Sequence, residues 1–520
     1  MKRDLIIGID AGTSLIKAVA FTLDGVQLAV TSRPNQYARP APGFAEQDMW
    51  RTWQDTAATL RDLAQLVPGL SARTAALAVT AQGDGTWLVD ADGEPVGGGL
   101  LWLDSRAAKI AADFVRSPAH AAQYASTGTG VNACQQAVQI AWFHQHQPDM
   151  LARATSAMHC KDWLYLQLTG VRAADPSESV FTYGDFRTRS YSRPVLERLG
   201  IGEYERLLPP IVDGLYQHHR LSPAGAAQTG LPQGLPVVLA YVDIICSVLG
   251  GGLYDASGQV GCSVLGSTGV HVRMAAGNAA VHLNPECSGY TIALPRQNYH
   301  AQMQSNMAAT LNIDWMAGLA SQAGALAGTG TSQNEIMARI EPEIAMAAPG
   351  QALFHPYILE AGERGPFMNA HARAQFTGLS STVTFAGMFR AAYEGLAFAA
   401  RDCYGAMGAL PGEIRLTGGA ARSATLRKIL ASALNVPVRT VKREETGAAG
   451  AAMIAALCLG IYPDLDACTQ AWVEPLLGSA TQPEDGLARL YERLFPVYYS
   501  VREAMVPAWD QLARVREGAA

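Results

Sequence analysis

Leu5-Ile6-Ile7-Gly8-Ile9-Asp10-Ala11-Gly12-Thr13-Ser14-Leu15-Ile16-Lys17-Ala18-Val19-Ala20-Phe21 decides the fold. Two β-prone apolar runs flank a turn of small residues, and the second run closes at Asp24-Gly25, a hairpin signal. The turn also carries chemistry. Gly12 lets backbone N–H groups approach phosphate oxygens, Thr13 and Ser14 add hydroxyl donors, and Lys17 adds charge. Asp10, at the end of the first strand, is placed to hold Mg²⁺ through water. Read alone, Gly8 to Ser14 fits equally well an ordinary hairpin turn whose Asp10 caps backbone groups.

The pattern recurs. Gly258 to Val272 again puts a small-residue turn, Gly266-Ser267-Thr268-Gly269, between β-prone runs, which suggests an internal duplication. The boundary is expected near Leu249-Gly250-Gly251-Gly252, dividing the chain into domains 1–248 and 249–520 that face one cleft. A third glycine cluster, Thr417-Gly418-Gly419-Ala420-Ala421-Arg422-Ser423, follows a strand at Glu413 to Leu416; such a turn lets a flat base lie against backbone. Between these lie a helix from about Met49 to Leu66, strands at Ala75 to Ala81 and Pro236 to Val242, and a strand-and-turn pattern from Leu88 to Val96 with Ala91-Asp92-Gly93 as the turn. A charged helical tail from about Glu484 to Val515 is expected to pack outside. The class is α/β with antiparallel hairpins.

Bulk properties narrow the ligand. With 520 residues, 49% of them hydrophobic, the chain can bury a sizeable core, and its length suggests two large domains or three ordinary ones. A formal charge of −6 and no run of Lys or Arg give no electrostatic reason to expect nucleic acid or an anionic membrane as partner. The eight cysteines show neither a CxxC pair nor metal-ligand spacing, and read as reduced core thiols. The apolar run at the start is too short for a signal segment, and no stretch reaches the roughly 20 apolar residues a bilayer needs. A cytoplasmic location is expected, with the oligomeric state left open, a homodimer included.

The sequence resembles the FGGY carbohydrate kinases, of the wider sugar kinase, Hsp70 and actin ATPase fold. The segments that carry the resemblance run in order from IGIDAGTSLIKAVAF through GFAEQDMWRTW, LLWLDSR, KDWLYLQLTG, PVVLAYVDIICSVLGGG, VLGSTGV and PYILEAGERGPF to YEGLAFAARD, LTGGAARS and ETGAAGAAMIAA. It implies two RNase H-like domains around a central cleft, with ATP and Mg²⁺ as co-substrate and cofactor. It also implies that Asp243, at the end of the Pro236 to Val242 strand, takes the proton of a substrate hydroxyl and shares the metal with Asp10. Without the resemblance, Asp243 in an apolar strand reads as a buried core or capping aspartate. The nucleotide side implied by the resemblance is Gly12, Thr13, Ser14, Lys17, Gly266, Ser267, Thr268, Gly269, Thr310, Asp314, Gly418, Gly419, Ala420 and Ser423.

For the substrate, the resemblance implies contacts at Gly83 and Asp84, where ketopentose kinases usually show Met-His and glycerol kinases Arg-Glu. Asp84 accepts from adjacent hydroxyls, Gly83 leaves space, and the absence of an added cation suits a neutral polyol. Trp102 can cover the carbon chain, and Asn132 and Gln135 stand where relatives place polar pocket residues. Read alone, Asp84 is also a turn cap and Trp102 a core residue. Two departures from the family pattern, Gln139 before Trp142 and Ile244 after Asp243, lie on the sugar side. The segments around GDGTWL, TGTGVNACQ, CKDWLY and QSNMAATLNIDW look most like erythritol kinases within the family, which implies conversion of erythritol to erythritol 4-phosphate. The alternatives are a kinase for L- or D-xylulose or another short polyol, and a non-catalytic sugar sensor, against which retention of Asp10, Asp243 and all three glycine turns argues.

Overall fold

The computed structural model describes residues 3–255 and 257–517. Two six-stranded sheets organise them. In spatial order the first is His219–Arg220, Pro236–Leu239, Thr74–Ala81, Leu5–Ala11, Leu15–Thr22, Gln27–Pro34. The second is Tyr290–Ala293, Tyr299–Asn306, Gly269–Ala276, Val260–Leu265, Glu413–Thr417, Val438–Thr440. In each, one central strand pairs antiparallel with its hairpin partner and parallel with a strand reached by a long crossover. Leu5–Ala11 does so with Leu15–Thr22 and Thr74–Ala81, and Val260–Leu265 with Gly269–Ala276 and Glu413–Thr417. The repeated turn of the sequence is thus a repeated topology.

Leu5–Ala11 reads as a continuous apolar run because both of its faces are covered. Leu5, Ile7 and Ile9 pack with Trp53, Leu60 and Trp163 of the outer layer. Ile6, on the other face, joins a core with Val248 and Ala452 between the sheets. That inner core is built by two helices, Asp243–Gly250 and Thr446–Cys458. Their backbones cross in contact: a methyl on Gly450 would overlap the Cys246 carbonyl, which explains the run of Gly and Ala in Thr446–Cys458. The crossing ties the second half of the chain to the sheet of the first, since the same helix lies against Gly8.

Met49–Leu66 is helical as expected, started by Asp48, whose side chain accepts from the Arg51 N–H. The strand-and-turn pattern at Leu88 to Val96 is present as a strand, Trp87–Val89, and a turn over Ala91 to Gly93, in which the Asp90 carboxylate takes the N–H groups of Asp92 and Glu94. One expectation needs adjustment. The strand carrying Asp243 ends at Leu239, and Asp243 opens the following helix. There Thr80 donates to the Tyr241 carbonyl and the Val242 N–H donates to Ser177, so side chains replace the sheet ladder. The tail is a helix, Asp485–Glu517, lying along the second half with Tyr491, Tyr498 and Trp509 buried. No described helix is long and apolar enough to cross a membrane, and all eight cysteines are free.

Candidate active site

The turn after Leu5–Ala11 is braced on every side. Thr13 donates its hydroxyl to Gln82 (2.9 Å) and accepts from the Trp102 indole (2.8 Å), while Gln82 donates to Gln47 (2.6 Å), which donates to the Thr13 carbonyl (3.2 Å). Asn35 holds the Gly12 carbonyl (2.8 Å). Lys17, paired with Asp10 across the hairpin, makes an ion pair with Glu445 at 2.8 Å. Glu445 immediately precedes the helix Thr446–Cys458, and Gly447 in its first turn lies so close to the Asp10 carboxylate that a methyl would overlap it. A helix N-terminus beside this turn favours negative charge on a ligand.

Asp10 is flanked by Asp243. Burial raises Asp10 to about 6, with Lys17 opposing and Glu445 adding to the shift. Burial also pushes Asp243 well above the usual carboxylate range, reinforced by the charges of Asp10 and Glu178, while the Ile244 N–H bonded to its Oδ1 (2.6 Å) works the other way. A buried carboxylate that a neighbouring carboxylate raises further is relieved by a cation beside the pair. Among the described residues no group of three or more His, Cys, Asp or Glu could hold a metal. A pair of carboxylates completed by phosphate oxygens and water is the arrangement Mg²⁺ accepts, so Asp10 and Asp243 fit that ion.

Asp243 and Asp84 line one cavity of about 220 Å³, with Gly83, Trp102, Ile244, Thr268, Tyr290 and Arg364. Asp84 sits in the left-handed region at φ 56°, with its N–H donated to Glu178 (2.8 Å). Its Oδ2 accepts from Tyr290 (3.2 Å) and the Cys134 thiol (3.3 Å); its Oδ1 is buried without a partner. Burial raises its pKa, and Cys134, His159, Arg364 and Tyr290 pull it back.

Behind the cavity wall lies a buried charge cluster. Lys161 is paired with Asp175 (2.7 Å), Asp162 (3.2 Å) and Glu178, and all four side chains are fully buried. Burial opposes the Lys161 charge, yet the three carboxylates hold its pKa well above the ordinary range. Burial raises Glu178 to about 7, with His159 and Lys161 opposing. The cluster reaches both cavity carboxylates: Glu178 carries the Asp84 N–H, and Asp175 accepts from Ser177, which receives the Val242 N–H next to Asp243.

The remaining candidates separate into groups. Gly266, Ser267 and Thr268 form the second turn, where Thr310 donates its N–H and its hydroxyl to the Gly266 carbonyl (3.0 and 2.9 Å), and Gly269 begins the return strand. Gly418 and Gly419 line a large cleft with Thr417 and Thr446, and Ala420 beside them is buried. Ser423 caps the helix Ala424–Leu434 and donates to Glu341 (2.6 Å). Asp314 is exposed on the helix Thr310–Leu326.

Asn132 and Gln135 do not line the cavity. Gln135 donates to the Gly130 carbonyl (2.9 Å) and accepts from the Asn132 N–H (3.2 Å), while the Asn132 amide reaches Gly130 and, at 3.4 Å, the Tyr290 hydroxyl. They brace the loop behind Tyr290. Gly83 lines the cavity, and a Cβ there would also lie 2.6 Å from Val242 Cγ2 and 3.3 Å from Glu178 Oε1. Asp104 and Arg106 of LLWLDSR pair at 2.8 Å and hold Ala45 and Glu46, leaving only Trp102 of that trio on the cavity wall. Reading by residue type missed Tyr290, which carries no motif, and Arg364, although its segment Gly362-Glu363-Arg364-Gly365-Pro366 carries part of the resemblance. Arg364 corrects the expectation of a cavity with no added cation.

Residues 5–250 match the FGGY family of carbohydrate kinases, N-terminal domain, and residues 263–459 match its C-terminal domain. A protein named erythritol kinase from Brucella abortus (strain 2308) is 50% identical over 512 residues, covering 98% of this chain and 98% of that protein. A xylulose kinase from Staphylococcus epidermidis is 27% identical, again over 98% of each. Among solved structures, gluconate kinase from Lactobacillus acidophilus superposes with a TM-score of 0.88 at 22% identity, over 98% of this chain and 99% of that one. Xylulose kinase from Rhodospirillum rubrum gives 0.86 at 25% identity, over 97% and 100%. With both domain matches spanning the two sheets and the acid pair between them, the chain belongs to the FGGY family of carbohydrate kinases and is an ATP-dependent kinase of a small sugar or polyol.

Proposed function

We propose that this kinase transfers the γ-phosphoryl group of ATP to a terminal hydroxyl of erythritol, giving erythritol 4-phosphate and ADP, with Asp243 as general base. The observation that carries the reading is one cavity lined by two carboxylates, Asp243 and Asp84, and by the Trp102 indole, which is itself bonded to Thr13 of the phosphate turn. As the hydroxyl oxygen attacks, its proton passes to Asp243, and the bond to the ADP oxygen breaks. Mg²⁺, bound to the phosphates and faced by Asp10 and Asp243, would supply charge for the transferring group. The backbone N–H groups of Gly12 to Ser14 and Gly266 to Thr268 grip the triphosphate from two sides, and the turn at Gly418 to Ser423 takes the base.

The four-carbon choice rests on Asp84 and on the half-identical relative that bears the name erythritol kinase. A ketopentose is the second reading. An acceptor-only pocket would disfavour its carbonyl, but the guanidinium of Arg364 can donate to one, and several weaker relatives are named xylulose kinases. ADP release measured over tetritols, pentitols, glycerol and ketopentoses decides between them. A kcat/KM for erythritol above all others is expected, and a higher value for xylulose would overturn the choice.

A further inference from the structure

Arg364 lines the same cavity as Asp84, and among the described residues its side chain makes no hydrogen bond and no ion pair. Its guanidinium rests 5.8 Å from the centre of the Trp102 ring. Its Nε is buried without a partner. Burying a guanidinium whose donors find no acceptor is costly even where nearby charges such as Asp84 favour its charged form. Asp84 has the complementary defect, a buried Oδ1 with no donor. An unpaired five-donor fork and an unpaired acceptor share one small cavity with the acid pair, and a vicinal diol presents one hydroxyl proton and one neighbouring oxygen at the spacing of such a fork.

We infer that Arg364 is the second anchor of the polyol, donating to the oxygens of the hydroxyls distal to the attacking one while Asp84 accepts their protons, so that the two side chains together select acceptor length. This rests on the proposed polyol reading and adds to it a named determinant. Tyr290 and the Cys134 thiol both donate to Asp84 Oδ2, which leaves Oδ1 as the oxygen with no protein donor. A shorter acceptor reaches Asp243 but leaves the fork empty, and a polar group left unpaired in a site built for it is what gives strong discrimination.

The test compares wild type, Arg364→Met and Arg364→Lys on erythritol and on butane-1,2,3-triol, the same chain lacking one terminal hydroxyl. Loss of a charged donor predicts an erythritol KM about 10- to 100-fold higher in Arg364→Met, with the KM for ATP unchanged. Wild type should prefer erythritol to the triol by about 10-fold or more, and Arg364→Met should treat the two alike. Arg364→Lys, which keeps charge and loses the fork, should fall between and stands in for the Met variant if that does not fold. An erythritol KM within threefold of wild type, or a variant that keeps the wild-type preference, overturns the inference, as does a fall in kcat at constant KM, which would assign Arg364 to the phosphoryl group. If wild type prefers a ketopentose, the polyol reading fails first, and the same variants are then compared on that ketose and its deoxy analogue.

Discussion

Neutralising Asp10 should make the unliganded protein more stable while abolishing its activity. Burial raises the Asp10 carboxyl from 3.8 to about 6. A shift of about 2 units corresponds to roughly 3 kcal/mol by which the folded state disfavours the charge. Below about pH 4 the group is protonated in both states and costs nothing. Between pH 4 and 6 the unfolded chain releases its proton while the folded chain retains it, so stability falls as pH rises, and above about pH 6 the whole penalty is present. Asp10→Asn removes that penalty. For a 520-residue chain unfolding as one unit, an entropy of about 2.1 cal/mol/K per residue converts roughly 3 kcal/mol into a Tm about 3 °C higher at pH 8. The variant should match wild type at pH 4. The assay is thermal unfolding from pH 4 to 8 without nucleotide or divalent metal, repeated with Mg²⁺ and ADP, where wild type should recover its deficit by binding. A variant no more stable than wild type at pH 8, or a difference independent of pH, would refute the view that this carboxylate is held in strain for a cation.

Asp243→Asn should fold and bind nucleotide but lose two to four orders of magnitude in kcat, and turnover within about tenfold of wild type would remove its role as base. Glu178→Gln keeps an acceptor for the Asp84 N–H while removing a charge that raises Asp243, so the acid limb of log kcat/KM should move to lower pH; an unmoved or higher limb counts against the coupling. Asp84→Ala should raise the erythritol KM about 10- to 100-fold by leaving distal hydroxyls unpaired, with ATP affinity intact. Unchanged erythritol kinetics would leave only the general kinase assignment.

Local chemistry is legible in the chain itself. The hairpin turn at Gly12 to Ser14 and its echo at Gly266 to Thr268, the helix Met49–Leu66 and the duplicated α/β plan follow from alternation, glycine and small polar residues, which act over a few positions. So does the identity of Asp10 as an acid at a strand end. What needed the tertiary structure is whatever depends on distance across the cleft. Asp84 and Arg364 are 280 positions apart, Tyr290 belongs to the second sheet, and no local signal marks them as one wall. Asn132 and Gln135 have the right chemistry for a sugar pocket, yet their amides are consumed by backbone at Gly130. Gly83 lines the cavity, but that a Cβ there would also strike Val242 and crowd Glu178 is visible only in the packing. Residue type sets what a side chain can donate, accept or exclude; only packing decides whether a protein group or the substrate takes up that capacity, because burial and partner supply are properties of the assembled core.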